Sequence, residues 1–194
     1  MIRNLDKYRI HILCEDQKHY YFIRSFLLSQ GVKNNHKFDS IDLPEGSQSG
    51  KQFVREHFIK DYQKYTRSRE NKILIVVQDI DKDDKTFALV KNDYSLLVHK
   101  AGLGSINDFD KLLFVFPKRN IETWLVWFGR ENINNKINEV TNFKLVNNLI
   151  SPADAGKRAS NLYTKSRTDE SVCINAPKSL IFACTEFESL CEKL

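Results

Sequence analysis

The stretch ILIVVQDIDKDDK, residues 73–85, constrains the fold most, because a wholly apolar run passes directly into acidic residues. Ile73 to Val77 is rich in β-branched residues and is typical of a strand that is buried on both faces, as in parallel sheets covered by helices. Aspartate is a poor strand former, and it costs free energy when it is buried without a partner. The carboxylates at the end of this run are therefore either a solvated turn or the ligands of a metal ion.

Strands and helices alternate over the first two thirds of the chain. This alternation predicts an α/β fold with a mainly parallel central sheet of about four strands, helices on both faces, and the first strand in a central position. The predicted strands are Tyr8–Glu15, His36–Leu43, residues 72–79 and Asp110–Pro117, and the predicted helices are residues 18–31, residues 51–69, one that starts within residues 84–93, and residues 120–129.

The domain organisation follows from the loss of this alternation near residue 130. Residues 1–130 are predicted to form the α/β domain. Residues 131–194 are less regular and rich in asparagine at first, and they end in the apolar stretch PKSLIFACTEFESLCEKL. We therefore expect a C-terminal helical extension that packs on the same domain.

Composition narrows the classes of protein further. The chain has 194 residues with 30 basic and 25 acidic side chains, and the net charge of +5 permits nucleic-acid binding without demonstrating it. It has no apolar run near the roughly 20 residues that a membrane span needs, and MIRNLDKYRI lacks the apolar centre of a signal peptide. The four cysteines show no C-x-x-C spacing, so neither a zinc site nor a disulfide framework is expected. We expect a cytoplasmic protein without a membrane partner.

Acidic side chains follow three of the predicted strands. Glu15 ends the first strand, Asp79 and Asp81 end the third, and Glu122 lies just past the fourth. Because ligands of parallel sheets bind outside the carboxyl ends of the strands, we expect all four side chains at one edge. Carboxylates that converge there repel each other, and a hard divalent cation, Mg²⁺ or Mn²⁺, relieves that repulsion.

The acidic run after the third strand leaves two interpretations open. The spacing D-x-D points two carboxylates the same way, which suits a metal ion. Asp83 continues the pattern to D-x-D-x-D, so it is a further candidate metal ligand, and the pair that binds the metal is not determined. Alternatively, Asp83 or Asp84 is the N-cap of the next helix.

Basic residues near the same edge are candidates for contacts with nucleic acid. The segment GSQSGKQF, residues 46–53, lacks the spacing of a phosphate-binding P-loop, so it is either a flexible loop or a loop whose Lys51 meets a phosphate near a helix N-terminus. Arg55 follows in the basic helix. Lys118 and Arg119 adjoin Glu122, where they bind a phosphate or are ordinary loop charges.

Two histidines and two tryptophans are weaker candidates. His11 alternates with apolar strand residues and is expected to be structural, whereas His19 lies near Glu15, early in the first helix. Trp124 shares the apolar face of its helix and is expected in the core. Trp127 lies off that face and is a candidate for contact with a partner.

The motifs around these acids resemble the TOPRIM fold of topoisomerases, primases and OLD (overcoming lysogenization defect) nucleases. HILCEDQKHYYFIRSFL is similar to the first motif, with Glu15 as its glutamate, and ILIVVQDIDKD is similar to the second, with Asp79 and Asp81 as its aspartates. FVFPKRNIETWLVWF resembles a segment of the small stand-alone OLD-like and RloB-like proteins of bacterial defence loci, in which Glu122 supplies a further acid. The resemblance covers residues 8–130.

The resemblance implies a TOPRIM-like sheet and a magnesium-dependent nuclease of antiphage defence. It also implies a partner ATPase encoded nearby, since this chain has no ATP-binding motif of its own. In that interpretation Glu15, Asp79, Asp81 and Glu122 are catalytic, and the substrate is DNA or RNA. The alternative is a non-catalytic nucleic-acid-binding or adaptor subunit with the same fold. Asp16 favours the alternative, because many TOPRIM proteins have glycine after the glutamate, and a side chain there narrows the approach to the phosphate or adds a ligand.

Overall fold

The computed structural model describes residues 5–33, 37–39, 41–45, 48–68, 70–81, 85–130, 136–147 and 149–194. Three parallel strands form one sheet in the order β1-β2-β3. The strands are β1 (Arg9–Cys14), β2 (Lys72–Val77) and β3 (Leu112–Val115). The helices are α1 (Gln17–Ser29), α2 (Gly50–Thr66), α3 (Phe87–Lys100), α4 (Ile121–Gly129), α5 (Pro152–Ser166) and α6 (Lys178–Lys193), with short 3₁₀ turns at Leu5–Lys7, Ile106–Asp108 and Glu170–Cys173.

The sheet therefore has the predicted α/β class and parallel direction, and the described residues form three of the about four strands predicted. In the described part of the predicted second strand, pairing with β1 is limited to one bridge between Ile10 and Phe38, next to which Asp39 N donates to the carbonyl of Ile10 at 2.9 Å. The Asp39 side chain accepts hydrogen bonds from Arg9 and Tyr65. The central strand is β2 rather than the predicted β1.

The strands are buried on both faces, as the apolar runs predict. Along β2, Ile73, Ile75 and Val77 pack with α1, α4, α5 and α6 on one face, and Leu74 and Val76 pack with α2 and α3 on the other. Successive side chains of a strand point to opposite faces, so a strand covered on both faces needs apolar residues at every position. The acids can lie only beyond the end of such a strand.

Helix α5 was not predicted from the sequence, and it packs tightly against α1. A Cβ atom added to Gly156 of α5 would lie 2.3 Å from the carbonyl oxygen of Phe22, so a glycine is needed for this approach. Gln30 Nε2 donates to the carbonyl of Ser160 at 3.0 Å and to its Oγ at 2.7 Å. The Ser151 N-cap and the proline at the first helical position were the signals available in the sequence.

Both tryptophans of α4 are fully buried. Trp124 lies in the core, as predicted, and its Nε1 donates to Ser179 Oγ of α6 at 2.8 Å. The prediction that Trp127 faces a partner is wrong, because its side chain is buried in the same apolar core as Trp124. All four cysteines are unpaired. Among the described helices, none combines the length and the hydropathy of a membrane span.

Candidate functional site

The segment after β2 continues as an extended chain beside the segment after β3. Ile80 N donates to the carbonyl of Pro117 at 2.8 Å, and Arg119 N donates to the carbonyl of Ile80 at 2.8 Å. Ile80 is buried in the core beneath α2 and α3. Because successive side chains of an extended chain alternate, Asp79 and Asp81 both point away from that core. Asp79 is 4% exposed, and Asp81 is largely exposed.

Glu15 and Asp79 are in direct contact at the carboxyl edge of the sheet. Asp79 N donates to Glu15 Oε1 at 2.8 Å, which joins the residues that follow β1 and β2. Burial raises the pKa of Glu15 to about 7, the negative charge of Asp79 adds to this increase, and the charge of His19 opposes it. The surrounding protein therefore compensates the negative charge of the Glu15 carboxylate only in part.

Behind this pair, His19 lies between two carboxylates. Asp16, the N-cap of α1, accepts a hydrogen bond from His19 N at 3.0 Å, and its Oδ1 lies 2.8 Å from His19 Nδ1. His19 Nε2 lies 2.9 Å from Asp79 Oδ1, and the ring is 0% exposed. Both ring nitrogens are satisfied when both donate, which requires the imidazolium form.

The pKa values of this trio are consistent with a charged ring. Burial lowers the pKa of His19, but the charge of Asp79 and the hydrogen bonds with Asp16 and Asp79 outweigh burial and raise the pKa well above the ordinary 6.5. Burial raises the pKa of Asp16, yet the hydrogen bond and charge of His19 dominate and lower it to about 2. Burial raises the pKa of Asp79 in spite of His19.

Glu122 reaches the same cluster from the first turn of α4, which begins after the N-cap Asn120. The Glu122 side chain is 6% exposed, and its Oε1 accepts a hydrogen bond from Lys18 Nζ at 2.5 Å. That hydrogen bond outweighs burial and raises the pKa of Lys18. The charge of Glu122 also contributes to the raised pKa of Asp79, so the two carboxylates interact.

Helix α2 begins against Glu15 and brings Lys51 to the acids. A Cβ atom added to Gly50 would lie 2.6 Å from the Cβ of Glu15, so only glycine permits this approach of the helix. Lys51 Nζ lies 3.2 Å from Asp81 Oδ2 and 3.4 Å from the carbonyl oxygen of Asp79. Lys51 therefore lies at the acidic edge with its amine paired to an acid, and its contact with a phosphate stays a prediction.

The other three basic candidates are placed differently. Arg119 adopts a left-handed backbone conformation (φ 67°), which is uncommon outside glycine, and its Nη1 donates to the carbonyl of Asp81 at 2.6 Å. Lys118 Nζ donates to a main-chain carbonyl of the loop before α3 at 2.8 Å. Arg55 Nη1 lies 3.6 Å from Asp93 of α3. Arg119 therefore contacts the acidic segment itself. Lys118 and Arg55 contact the loop before α3 and α3 instead.

The N-cap of α3 is Thr86, whose side chain accepts a hydrogen bond from Leu89 N at 3.2 Å. The alternative prediction that Asp83 or Asp84 caps this helix is therefore wrong. Asp83 and Asp84 themselves lie outside the described residues, and the prediction that Asp83 is a metal ligand falls on that segment.

The donor chemistry of the cluster fits a hard divalent cation. Glu15, Asp79 and Asp81 supply carboxylate oxygens, and the raised pKa of the first two shows negative charge that the protein only partly compensates. Within the described ranges, no three histidine, cysteine, aspartate or glutamate side chains gather closely enough to hold a metal ion as they stand. The Asp81 carboxylate is paired here with Lys51, Oδ2 to Nζ at 3.2 Å.

An open groove of about 350 Å³ runs beside the acids. One wall is the start of α1, and the other is an apolar pair in the loop before α2. It is lined by Glu15, Asp16, Gln17, Lys18, Leu43 and Pro44. A ligand in this groove has access to Glu15 and to the amine of Lys18.

Sequence reasoning did not identify Lys18, and it named His19 only as a weak candidate. The spacing of Asp16 and His19 at a helix start carried a signal for a capping carboxylate that also reaches a histidine ring. Lys18 had no local signal, because its partner Glu122 is 104 positions away. The four predicted acids do lie at one edge, and their functional roles stay predictions.

Fold and site together define an α/β protein with a three-stranded parallel sheet and an acidic cluster at its carboxyl edge. Comparison of the chain with protein-family models, with curated proteins and with solved structures finds no match. What this protein does has therefore to be inferred from its own residues.

Proposed function

We propose that this protein is a metal-dependent nuclease or phosphodiesterase that acts on nucleic acid, with its active site at the acidic edge. The observation that carries the proposal is the 2.8 Å hydrogen bond from Asp79 N to Glu15 Oε1, since it brings together acids from the ends of two parallel strands. Lys51 and Arg119 supply positive charge beside the same acids. Carboxylates for a cation next to cations for a phosphate are the groups that phosphodiester hydrolysis needs.

The metal, Mg²⁺ or Mn²⁺, would be held by Glu15, Asp79 and Asp81, with Asp83 as a further ligand. When bound, it polarises a phosphoryl oxygen and lowers the pKa of a bound water. The chain itself contributes the remaining functions. Glu122, held by Lys18, accepts a proton or adds a ligand oxygen, and its burial keeps its carboxylate in one place.

Binding of the nucleic-acid backbone is assigned to basic residues of α2 and of the segment after β3. Lys51 and Arg119 would leave their acidic and carbonyl partners for the substrate phosphates. Lys60 and Lys64 are exposed at helical spacing farther along α2, the exposed Arg67 is its C-cap, and all three extend the positive surface. Binding of this kind is weakly specific for sequence and falls with added salt. The defence setting and the partner ATPase rest on the TOPRIM resemblance alone.

One observation favours the second candidate function, a non-catalytic nucleic-acid-binding or adaptor subunit. Lys18 pairs with Glu122, His19 with Asp79, and Lys51 with Asp81. Three of the four acids, all but Glu15, thus have a basic partner within the protein, and these three need no cation to compensate their charge. Only the nuclease interpretation requires these ion pairs to break, so that the acids can bind a metal ion.

Calorimetric titration with Mg²⁺ and with Mn²⁺ separates the two functions. The wild-type chain is compared with Asp79→Asn/Asp81→Asn and with the control Asp110→Asn/Asp154→Asn, which removes the same charge from exposed positions outside the site. The proposal expects metal binding in wild type and control and its loss in the site variant.

A cleavage screen on single- and double-stranded DNA and RNA follows, with and without EDTA, and with and without an ATPase encoded beside this chain. Metal-dependent cleavage that the site variant lacks supports the nuclease. If the wild-type chain retains nucleic acid on a filter but neither binds metal nor cleaves under any of these conditions, the protein is the non-catalytic subunit.

A further inference from the structure

We propose that His19, held by Asp16, is a positioning residue that sets the orientation of the Asp79 carboxylate in the active site. This inference rests on the proposed function and adds to it two residues that act through Asp79 rather than on the substrate. It also assigns a role to Asp16, the position at which the chain departs from the TOPRIM pattern.

The geometry is that of a carboxylate, an imidazole and a second carboxylate in one line of hydrogen bonds. Asp16 Oδ1 lies 2.8 Å from His19 Nδ1, and His19 Nε2 lies 2.9 Å from Asp79 Oδ1. The ring is fully buried, so water does not compete for either nitrogen. Asp16 also accepts the backbone N–H of His19 at 3.0 Å, which ties the ring and its partner to the same helical turn.

This arrangement matters for Asp79 because the residue lies past the end of β2, outside the ladder. Its backbone N–H is already directed at Glu15, and its Oδ1 is taken by the imidazole. The imidazole of His19 in α1 therefore orients the Asp79 carboxylate. Helix α1 is itself packed closely on the sheet and on α5. Residues that hold a metal ligand in this way typically contribute 10–100-fold to metal affinity or activity.

The shape of the ring supports the same role. An imidazole presents two nitrogens fixed on opposite sides of a planar ring, one toward each carboxylate. Lysine in place of His19 would offer a single flexible ammonium group and could not hold both carboxylates in this way. The position thus requires the shape of histidine.

The test uses His19→Gln, Asp16→Asn and the double variant. His11→Gln is the matched control, because His11 is also nearly buried and lies 3.0 Å from an aspartate, Asp61, toward the other end of β1. Asparagine is as good an N-cap as aspartate, so Asp16→Asn keeps α1 intact and removes only the charged partner of the ring. Circular dichroism and urea unfolding establish that each variant is folded.

Two readouts are taken, the Mn²⁺ dissociation constant from calorimetry and the kcat and KM for a labelled oligonucleotide. We expect His19→Gln to raise the Mn²⁺ dissociation constant 10–100-fold and to lower kcat with little change in KM. Asp16→Asn is expected to have a smaller effect in the same direction, and the double variant to be no worse than His19→Gln. His11→Gln is expected to change neither readout.

The failure of this inference is distinguishable from that of the proposed function. A wild-type chain that binds no Mn²⁺ and cleaves nothing overturns the proposed function and the positioning role together. An active wild type with unchanged Mn²⁺ affinity and kcat in folded His19→Gln overturns the positioning role alone. Should His19→Gln not fold, unchanged metal affinity in Asp16→Asn has the same consequence, and a loss there supports the role.

Discussion

Replacing Glu15 with glutamine is expected to stabilise the metal-free protein at alkaline pH. The pKa of Glu15 rises from the ordinary 4.5 to about 7, first because the carboxyl group is buried and then because Asp79 carries like charge. Each tenfold change in proton affinity is worth about 1.4 kcal/mol, so holding Glu15 ionised lowers the free energy of unfolding by about 3 kcal/mol. Glutamine keeps the shape, and its carbonyl oxygen still accepts from Asp79 N.

The advantage of the variant has a defined dependence on pH. Between about 4.5 and about 7 the native state keeps the Glu15 proton while the unfolded chain has lost it. Stability therefore falls as the pH rises through this window, and it stays low above it. The difference between Glu15→Gln and wild type is expected to be near zero at pH 4.5 and fully developed at pH 8.

Urea unfolding in EDTA at these two pH values measures the difference. With a denaturant slope of about 2 kcal/mol per molar for a chain of this size, the midpoint at pH 8 shifts upward by about 1.5 M. Mg²⁺ at 100 times its dissociation constant is expected to remove most of this difference, because it stabilises wild type by about 2.7 kcal/mol and binds less tightly to the variant, which lacks the Glu15 ligand.

The control is Glu56→Gln, which removes the same charge from the exposed face of α2 and is expected to change stability by less than about 0.5 kcal/mol. A Glu15→Gln variant that is no more stable than wild type at pH 8 in EDTA would refute the reasoning. It would mean that the basic neighbours fully compensate the Glu15 carboxylate and that no cation is needed there.

Four further predictions concern single positions. Gly50→Ala is expected to destabilise the protein by about 1–3 kcal/mol in urea, because the new methyl group overlaps Glu15. Gly129→Ala, whose Cβ would meet nothing closer than 3.7 Å, is expected to be neutral or stabilising by up to about 1 kcal/mol. Lys51→Gln is expected to weaken nucleic-acid binding and to reduce the slope of log affinity against log salt by about 1 in a titration by fluorescence anisotropy. Trp124→Phe removes the indole hydrogen bond to α6 and is expected to lower the free energy of unfolding by about 1–2 kcal/mol in urea.

Each of these has an outcome that contradicts it. Equal stability of the two alanine variants would show that α2 does not begin against Glu15. A salt slope that is unchanged in Lys51→Gln would show that the Lys51 amine does not contact the nucleic-acid backbone. A Trp124→Phe variant as stable as wild type would mean that α6 is held by apolar packing alone.

Much of the fold could be predicted because its cause is local. A strand that is covered on both faces must be apolar throughout, and residues 73–77 satisfy that condition in five consecutive positions. The acids that follow must then lie at the carboxyl edge, since parallel strands place their ends together. Asn120, as N-cap of α4, likewise marks where that helix begins.

The errors arose where a local pattern competes with contacts made elsewhere. Residues 36–43 alternate like a strand, but in their described part the pairing is one bridge, between Phe38 and Ile10. Helix α5 has an interior glycine and little apolar bulk, and it forms because Gly156 fits against the backbone of α1. Trp127 lies off the apolar face of α4 in the sequence pattern, yet it is fully buried, because tertiary packing also covers that side of the helix.

The sequence by itself determined the α/β class, the parallel direction of the strands and the edge on which Glu15, Asp79, Asp81 and Glu122 meet. These follow from hydrophobic periodicity and from the right-handed connections that such a chain must use. Only the tertiary structure decided how the charges pair, with Lys18 on Glu122 and His19 between Asp16 and Asp79. Pairing depends on distances of a few ångströms between residues up to 104 positions apart, and no local pattern contains that information.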